Sequence, residues 1–500
     1  MNSILRCYLC CCLLTPDGFK HNLNLQRRVK FSPHFPHLSS SLCFIICHPE
    51  SEVNQTEGVV QDLGGIIMKK VLRGVVLCFI VSLVFGSTLV FAAEPDFSKI
   101  PTAPKPEKPT VVLYEPVEQK AAQEVSKLFE QQFGIKVEVN AIPWANLHEK
   151  IIVDLTARAG TYDIIFIPGL WSLEFIYAGY IEPLNKYWND PNLLRFDIED
   201  YPPSIVNLLT YEGNTYWIPH HGSTQVLFYR KDLFEQAGVV PPETYDDLFN
   251  LAGKFTNNPN FPDLWGFGTT PKQGEWASST WSTWLWSWGG EYFDAQWNPI
   301  FNDEIGVDSL KAYAEAVNKF SPPDAPNWGN EESGAAFQQG RLAMLQMWPY
   351  LGAAMEDPTQ SKVVGNVGYA PMPKKIKRVP RLGSWGGTIS AFSKNKEWAY
   401  MWLAFFNSRE MVEKIHVPSG VPVCRLSIIR SLEPQIPWQR AVNISFEDTK
   451  ERPGIPEISS IIDVWGLAFS KVVTGQADAK AALDEAAAKV REILEYAGYY

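Results

Sequence analysis

From residue 111 onward, apolar positions switch back and forth between two spacings. Residues 111–114 form a short apolar run that predicts a strand. Over 118–133, Ala122, Val125, Leu128 and Phe129 recur at helical spacing, and Gly134 stops them. "IKVEVN" then alternates like a strand, 146–159 reads as a helix, "DIIFI" is a buried-strand run, and another helix and "YIEPL" follow. Strand and helix in turn are the pattern of an α/β lobe with a largely parallel sheet. The alternation resumes with helices at 308–320 and 332–339, strands at "LAMLQMW", "VGYAPM" and "GTISAF", and a helix at 396–406. Leu483, Ala487, Val490 and Leu494 make 478–496 a docked amphipathic helix. No repeat of 20–50 residues is visible, which argues against a solenoid.

The segment WASSTWSTWLWSWGGEYF carries Trp276, Trp281, Trp284, Trp286 and Trp288. Ser278 or Ser279 can cap a helix running to Trp288, which Gly289 and Gly290 would end. Trp281, Trp284, Leu285 and Trp288 then share one stripe and read as core. Trp286 faces nearly the other way, outside the stripe, and Trp276 precedes the helix on a loop.

The first 92 residues stand apart from this pattern. "MKKVLRGVVLCFIVSLVFGSTLVFAA" begins at Met68 with a basic start, an uncharged apolar run and a small-residue cleavage site, which predicts a signal peptide at 68–92. A secretion signal belongs at a chain start, so 1–67 reads as translated upstream sequence, disordered, with synthesis starting at Met68. Gly64 and Gly65 would then be a ribosome-binding sequence read as codons. Residues 93–109, including "PTAPKPEKP", read as a Pro-rich, extended and exposed linker. This division changes two counts. Of the eight cysteines only Cys424 remains, so no internal disulfide or Cys metal cluster is expected. The net charge of −11 becomes more negative, because the first 92 residues are net basic. An acidic exported protein is a poor partner for nucleic acid.

The chemistry of catalysis is thin. G-x-S-x-G, a Walker loop and H-E-x-x-H do not occur. His220 and His221 are adjacent, and neighbours on an extended segment point to opposite sides, so they make a poor metal site. The acidic pairs Asp246-Asp247, Asp303-Glu304 and Glu331-Glu332 read as solvated surface rather than as hydrolytic carboxylates. No metal, cofactor or enzymatic activity is expected. What the chain has in excess is tryptophan, 18 residues. An indole offers a broad apolar face that suits the C–H face of a sugar.

The order of motifs resembles the extracellular solute-binding proteins (family 1) of bacterial ABC importers for sugars and polyols. The stretches that carry it are "FEQQFGIKVEV", "TYDIIFIPGLWSLEFIYAGYIEPL", "EGNTYWIPHHGSTQVLFYRKDLFEQAG", "FQQGRLAMLQMW", "LGSWGGTISAFSKNKEWAYMWLAFF" and "TGQADAKAALDEAAAKV". The resemblance implies an α/β fold of two lobes, the type II-like periplasmic-binding-protein fold, with a hinge and an interlobe ligand cleft. One lobe would take 110–219 plus 376–430, the other 220–375 plus 431–500. It implies a periplasmic monomer that binds a carbohydrate or polyol and delivers it to membrane permease subunits. A secreted carbohydrate-active enzyme and a sugar receptor for signalling are the alternatives.

By position in those motifs, the ligand-binding residues would be Glu118, Trp144, His148, Trp171, His220, His221, Trp276, Trp348, Trp385, Gly386 and Gly387. The family commonly has Tyr-Asp where this chain has His220-His221, so imidazoles replace an anionic acceptor. Gly386 and Gly387 would let backbone approach the ligand. None of these positions is Arg or Lys, which predicts a neutral ligand.

Overall fold

Five strands form the larger of two main sheets in the structure, a computed structural model that describes residues 96–113 and 116–500. The expected upstream extension (1–67) and leader (68–92) lie outside the described residues. β1 (Thr110–Leu113), β2 (Glu138–Ala141) and β3 (Ile164–Pro168) pair in parallel in the order β2-β1-β3, with crossover helices α1 (Pro116–Phe133) and α2 (Trp144–Thr156). All of β3 is buried, which is why it reads as an unbroken apolar run. Helix α1 turns Ala122, Val125 and Phe129 inward and ends before Gly134, whose φ of +69° is open to glycine.

β4 (Trp217–Thr224) needs only Gln225 to become β5 (Val226–Arg230), the centre of the second sheet. That sheet has the order β6-β5-β7, with β6 (Met344–Met347) and β7 (Val367–Pro371) both antiparallel to β5. β8 (Leu382–Ile389) then returns to the first sheet between β3 and β4, antiparallel to both. Four of the five strands thus run one way, as a largely parallel sheet requires, and β8 alone runs against them. β8 arrives from the second sheet rather than through a crossover helix, so it enters in the opposite sense. The segment "YIEPL" contributes one isolated bridge, Ile181 to Ser390, instead of a strand.

Each sheet with its helices makes one lobe. All of β4, His220 and His221 included, lies in the first sheet, and Gln225 joins it to β5 of the second. Two other passages run beside it. The Gln225 amide donates to the Arg381 carbonyl (3.3 Å), and the Leu382 amide to that of Lys450 (2.7 Å).

The Trp-rich helix α3 (Glu275–Ser287) begins earlier than its serines suggest, after Gly274. Residues 277–287 are buried throughout, which makes this a central helix rather than an amphipathic one. Trp281 packs on Phe469 (4.3 Å between centroids), and Trp284 stacks on half-buried Trp288 (5.5 Å, 20°), as a core stripe should. Trp286 is core as well, 6.0 Å from Tyr292. The hydroxyls between the indoles all find partners: Ser282 with Tyr292 (2.8 Å), Thr280 with Tyr313 (2.8 Å), Thr283 donating to Gln225 (2.8 Å).

The Pro-rich segment does not stand free. It lies along α4 (Lys396–Phe406), where the Trp398 indole donates to the Ala103 carbonyl (3.1 Å) and Glu397 accepts from the Ala103 amide (3.2 Å). Lys105 reaches the Phe133 carbonyl (2.6 Å), and Phe97 sits edge-on to Phe405. Proline removes amides that a surface segment would otherwise have to satisfy, and the lobe supplies partners for the rest. In the other lobe α5 (Ile458–Val473) and α6 (Ala479–Tyr496) pair, with Leu483, Ala487, Val490 and Leu494 of α6 buried. Cys424 is a free, buried thiol.

Candidate functional site

Three strands of the first sheet, β2, β3 and β8, deliver one indole each to a common corner. Trp144 is the first residue of α2, directly after β2; it is helical rather than part of a loop. Trp171 ends the single 3-10 turn that leaves β3 at Pro168. Gly169 makes that turn possible, since a Cβ there would stand 2.8 Å from Ser384 Oγ and 3.1 Å from the Trp217 ring. Trp385 of β8 pairs with Pro168 on one side and His221 on the other.

The rings of Trp144 and Trp171 stack at 4.9 Å and 13°. Trp385 stands edge-on to both, at 5.6 Å and 6.4 Å. One turn along α2, His148 places its ring against Trp171 (4.6 Å), and its Nε2 lies 3.0 Å from both oxygens of Glu174. Ser459 of α5, in the other lobe, donates to Glu174 Oε2 at 3.5 Å, so this corner touches both lobes.

The second lobe brings Trp348 from the end of β6. Its ring lies against Gly383, two residues before Trp385, and under the Arg381 guanidinium, whose carbon is 5.2 Å from the ring centroid. Arg381 in turn donates to Ser279 (2.8 Å) and Glu451 (3.2 Å). Behind it, Arg452 grips Glu275 with two bonds of 2.8 and 2.7 Å. Burial would push the Glu275 carboxyl up, but Arg452 and then Arg381 hold it below its ordinary value. Burial and the neighbouring Arg452 draw the Arg381 guanidinium down, against its carboxylate partners. These charges are committed to one another, and the corner itself is aromatic apart from the facing pair Glu174 and His148.

Such a corner can hold flat C–H faces and hydrogen-bond a hydroxylated edge. The acidic pairs that could suggest hydrolysis are doing something else. Asp247 closes a capping box with Thr244, Asp303 caps the helix Glu304–Phe320, and Glu332 accepts from the Gly329 amide at 2.8 Å. Among the described residues, no group of three or more His, Cys, Asp or Glu side chains could hold a metal ion.

The model of the bacterial extracellular solute-binding protein family matches residues 112–413. The chain belongs to that family. A probable amino-acid ABC transporter periplasmic-binding protein of Sinorhizobium fredii is 27% identical over 75% of this chain and 86% of its own length. The mannitol-binding protein of Pseudomonas aeruginosa is 25% identical over 75% of the chain and 91% of its own. Among solved structures, an ABC transporter solute-binding protein of Agrobacterium radiobacter in complex with ribitol superposes with a TM-score of 0.71 at 27% identity, covering 78% of this chain and 99% of that one.

This solute-binding protein gathers Trp144, His148, Trp171 and Trp385 into direct contact, with His221 beside Trp385 in the ladder and Trp348 beside Gly383. Other expected positions lie elsewhere. His220 is 2% exposed and packs against Phe166, Phe406 and His416, on the core side of the sheet. The register shifts between Trp385 and Gly386, so His220 is the unopposed residue of a bulge, and the two histidine rings stand 6.3 Å apart instead of pointing to opposite sides as the sequence suggested.

The space left by Gly386 is taken by Trp217, and that left by Gly387 by Leu403 and Phe166, so both glycines serve packing. Trp276 lies in the first turn of α3, with Lys272 over its ring (5.0 Å) and its Nε1 3.0 Å from where a Gly329 Cβ would be. Ser278 and Ser279, expected as caps, instead accept from Arg452 and Arg381. The side chain of Glu118 lies outside the described residues. Arg381 and Gly383 did not stand out in the sequence, although R-L-G-S-W places both in alternation with Trp385.

Proposed function

We propose that this protein is the exported receptor of an ABC importer and that it carries a single polyol or monosaccharide unit. The solute rests on the corner of Trp144, Trp171 and Trp385, with Trp348 as the wall from the other lobe, and His148 and His221 supply polar edges. The observation that carries this reading is the mutual contact of the three indoles, two of them just beyond the carboxyl ends of β2 and β3, where α/β sheets bind their ligands. Two of the relatives support the ligand class, one a mannitol-binding protein and one a complex with ribitol. A zwitterionic amino acid would want a free cation and a free carboxylate. Here Arg381 is committed to Glu451 and Ser279, and Glu174 faces His148.

In this reading the lobes close on the solute, membrane permease subunits recognise the closed form, and no bond is made or broken. The 68–92 leader directs the chain to the periplasm, so mass spectrometry of the exported protein should find its first residue close after Ala92. The main test is titration of the purified protein by calorimetry with mannitol, ribitol, maltotriose and a set of amino acids, with the solute recovered and analysed afterwards. Saturable binding of the polyols or a monosaccharide, returned intact, is the expected result. Binding of amino acids alone, preference for the trisaccharide, or altered solute would overturn the reading.

A further inference from the structure

Gly383 and Trp385 occupy alternate positions of β8 and so share a face, and Arg381 continues that alternation from the bridge with Lys450 just before the strand. Trp348 comes to that face from the other lobe and lays the far edge of its six-membered ring over Gly383. A Cβ at 383 would stand 2.8 Å from Trp348 Cζ3 and 2.9 Å from Cη2. The backbone itself does not demand glycine: Gly383 sits in the ladder opposite Ser223 and is absent from the glycines with positive φ. The missing side chain therefore serves the indole. At the other end of the slot the Arg381 guanidinium covers the ring at 5.2 Å. Ser279 and Glu451 fix that guanidinium beside the passages between the lobes.

We propose that Gly383 and Arg381 are positioning residues: they form a seat beside the passages between the lobes that holds Trp348 turned toward the solute. The proposal rests on the solute-binding reading above for what the seat is used for. It does not depend on that reading for the seat's existence. Gly383 sets how deep the ring can lie, and hence how much room remains beside Trp385. Arg381 sets the ring's tilt through its flat face.

The experiment uses the full chain labelled with 5-fluorotryptophan. The fluorine resonance that disappears in Trp348→Phe belongs to Trp348. In ligand-free Gly383→Ala that resonance is expected to shift or broaden while the resonances of the core indoles stay in place; an unmoved resonance overturns the seat. Affinity for mannitol or ribitol should fall about tenfold in Gly383→Ala. In a Trp348→Ala background the same change should cost less than about twofold, because a group that acts through another loses its effect when that other is gone. An equal loss in both backgrounds overturns the proposal. A shifted resonance in a protein that binds none of the sugars or polyols upholds the seat and overturns the proposed ligand class.

Discussion

Glu275→Gln tests the electrostatic arrangement behind the site. The substitution keeps the shape of the side chain and one oxygen acceptor but removes a charge that Arg452 holds with two bonds of 2.8 and 2.7 Å. The Arg452 side chain is fully buried, and its other carboxylate, Glu451, lies 3.5 Å from Nε and is shared with Arg381 at 3.2 Å. Without the Glu275 charge, two guanidiniums are left with one carboxylate. Breaking a buried pair by removing one partner costs about 3–5 kcal/mol, and the retained acceptor puts this case near about 3 kcal/mol. At roughly 2 °C per kcal/mol for a large domain, the melting temperature at pH 7 should fall by about 6 °C.

Differential scanning fluorimetry measures the effect, with Glu243→Gln as the control. Glu243 is 75% exposed in its pair with Arg378, and surface pairs contribute about 0–1 kcal/mol. The pH dependence has a defined sign. The Glu275 carboxyl is held below its ordinary value in the folded state, so its contribution is complete above pH about 4.5 and fades as pH falls further. Wild type should therefore lose melting temperature more steeply than Glu275→Gln below that point. A variant that melts within about 2 °C of wild type at pH 7, or one with the same acid slope, would refute the argument.

Trp171→Ala should weaken mannitol or ribitol binding by about 2- to 13-fold, since stacked aromatic contacts contribute about 0.5–1.5 kcal/mol beyond area burial; equal affinity in a fluorescence titration would remove Trp171 from the site. Trp276→Ala, at a ring that lies against Lys272 and Gly329, should change that affinity by less than Trp171→Ala, and a loss of the same size would place it among the ligand residues. His220→Ala should lower the melting temperature by several degrees, as large-to-small core changes do, yet leave affinity within about twofold. If instead affinity collapses at unchanged stability, His220 belongs to the site after all.

Much of the architecture was legible because it depends on local spacing. β3 is buried on both faces and so reads as a solid apolar run, while α1 and α6 each bury one stripe. Trp281, Trp284 and Trp288 could be assigned to the core from helical period alone. The failures share a cause, which is that a neighbour distant in sequence decides the outcome. Gly386 and Gly387 looked open to a ligand because nothing local shows Trp217 or Leu403 filling their space. Ser278 and Ser279 looked like caps because Arg452 and Arg381 lie more than a hundred residues away. The 101–109 segment has the composition of a spacer, and only α4 makes it a strap. The adjacent histidines were expected to point apart; the bulge that brings their rings to 6.3 Å leaves no mark in the sequence.

The place of β8 has a consequence for how the chain comes to be folded. It lies inside the first sheet, between β3 and β4, although it is made more than two hundred residues after β3. Until residue 389 has emerged, β3 and β4 have no strand between them, and both keep unpaired edges in water. Closing such long loops is slow. For the exported receptor proposed above, this delay is useful: the lobe translated first stays open while the rest is still being made. A chain ended before residue 382 should accordingly show little amide protection in β3 by hydrogen exchange, and full protection there would show that the sheet needs no late strand to set.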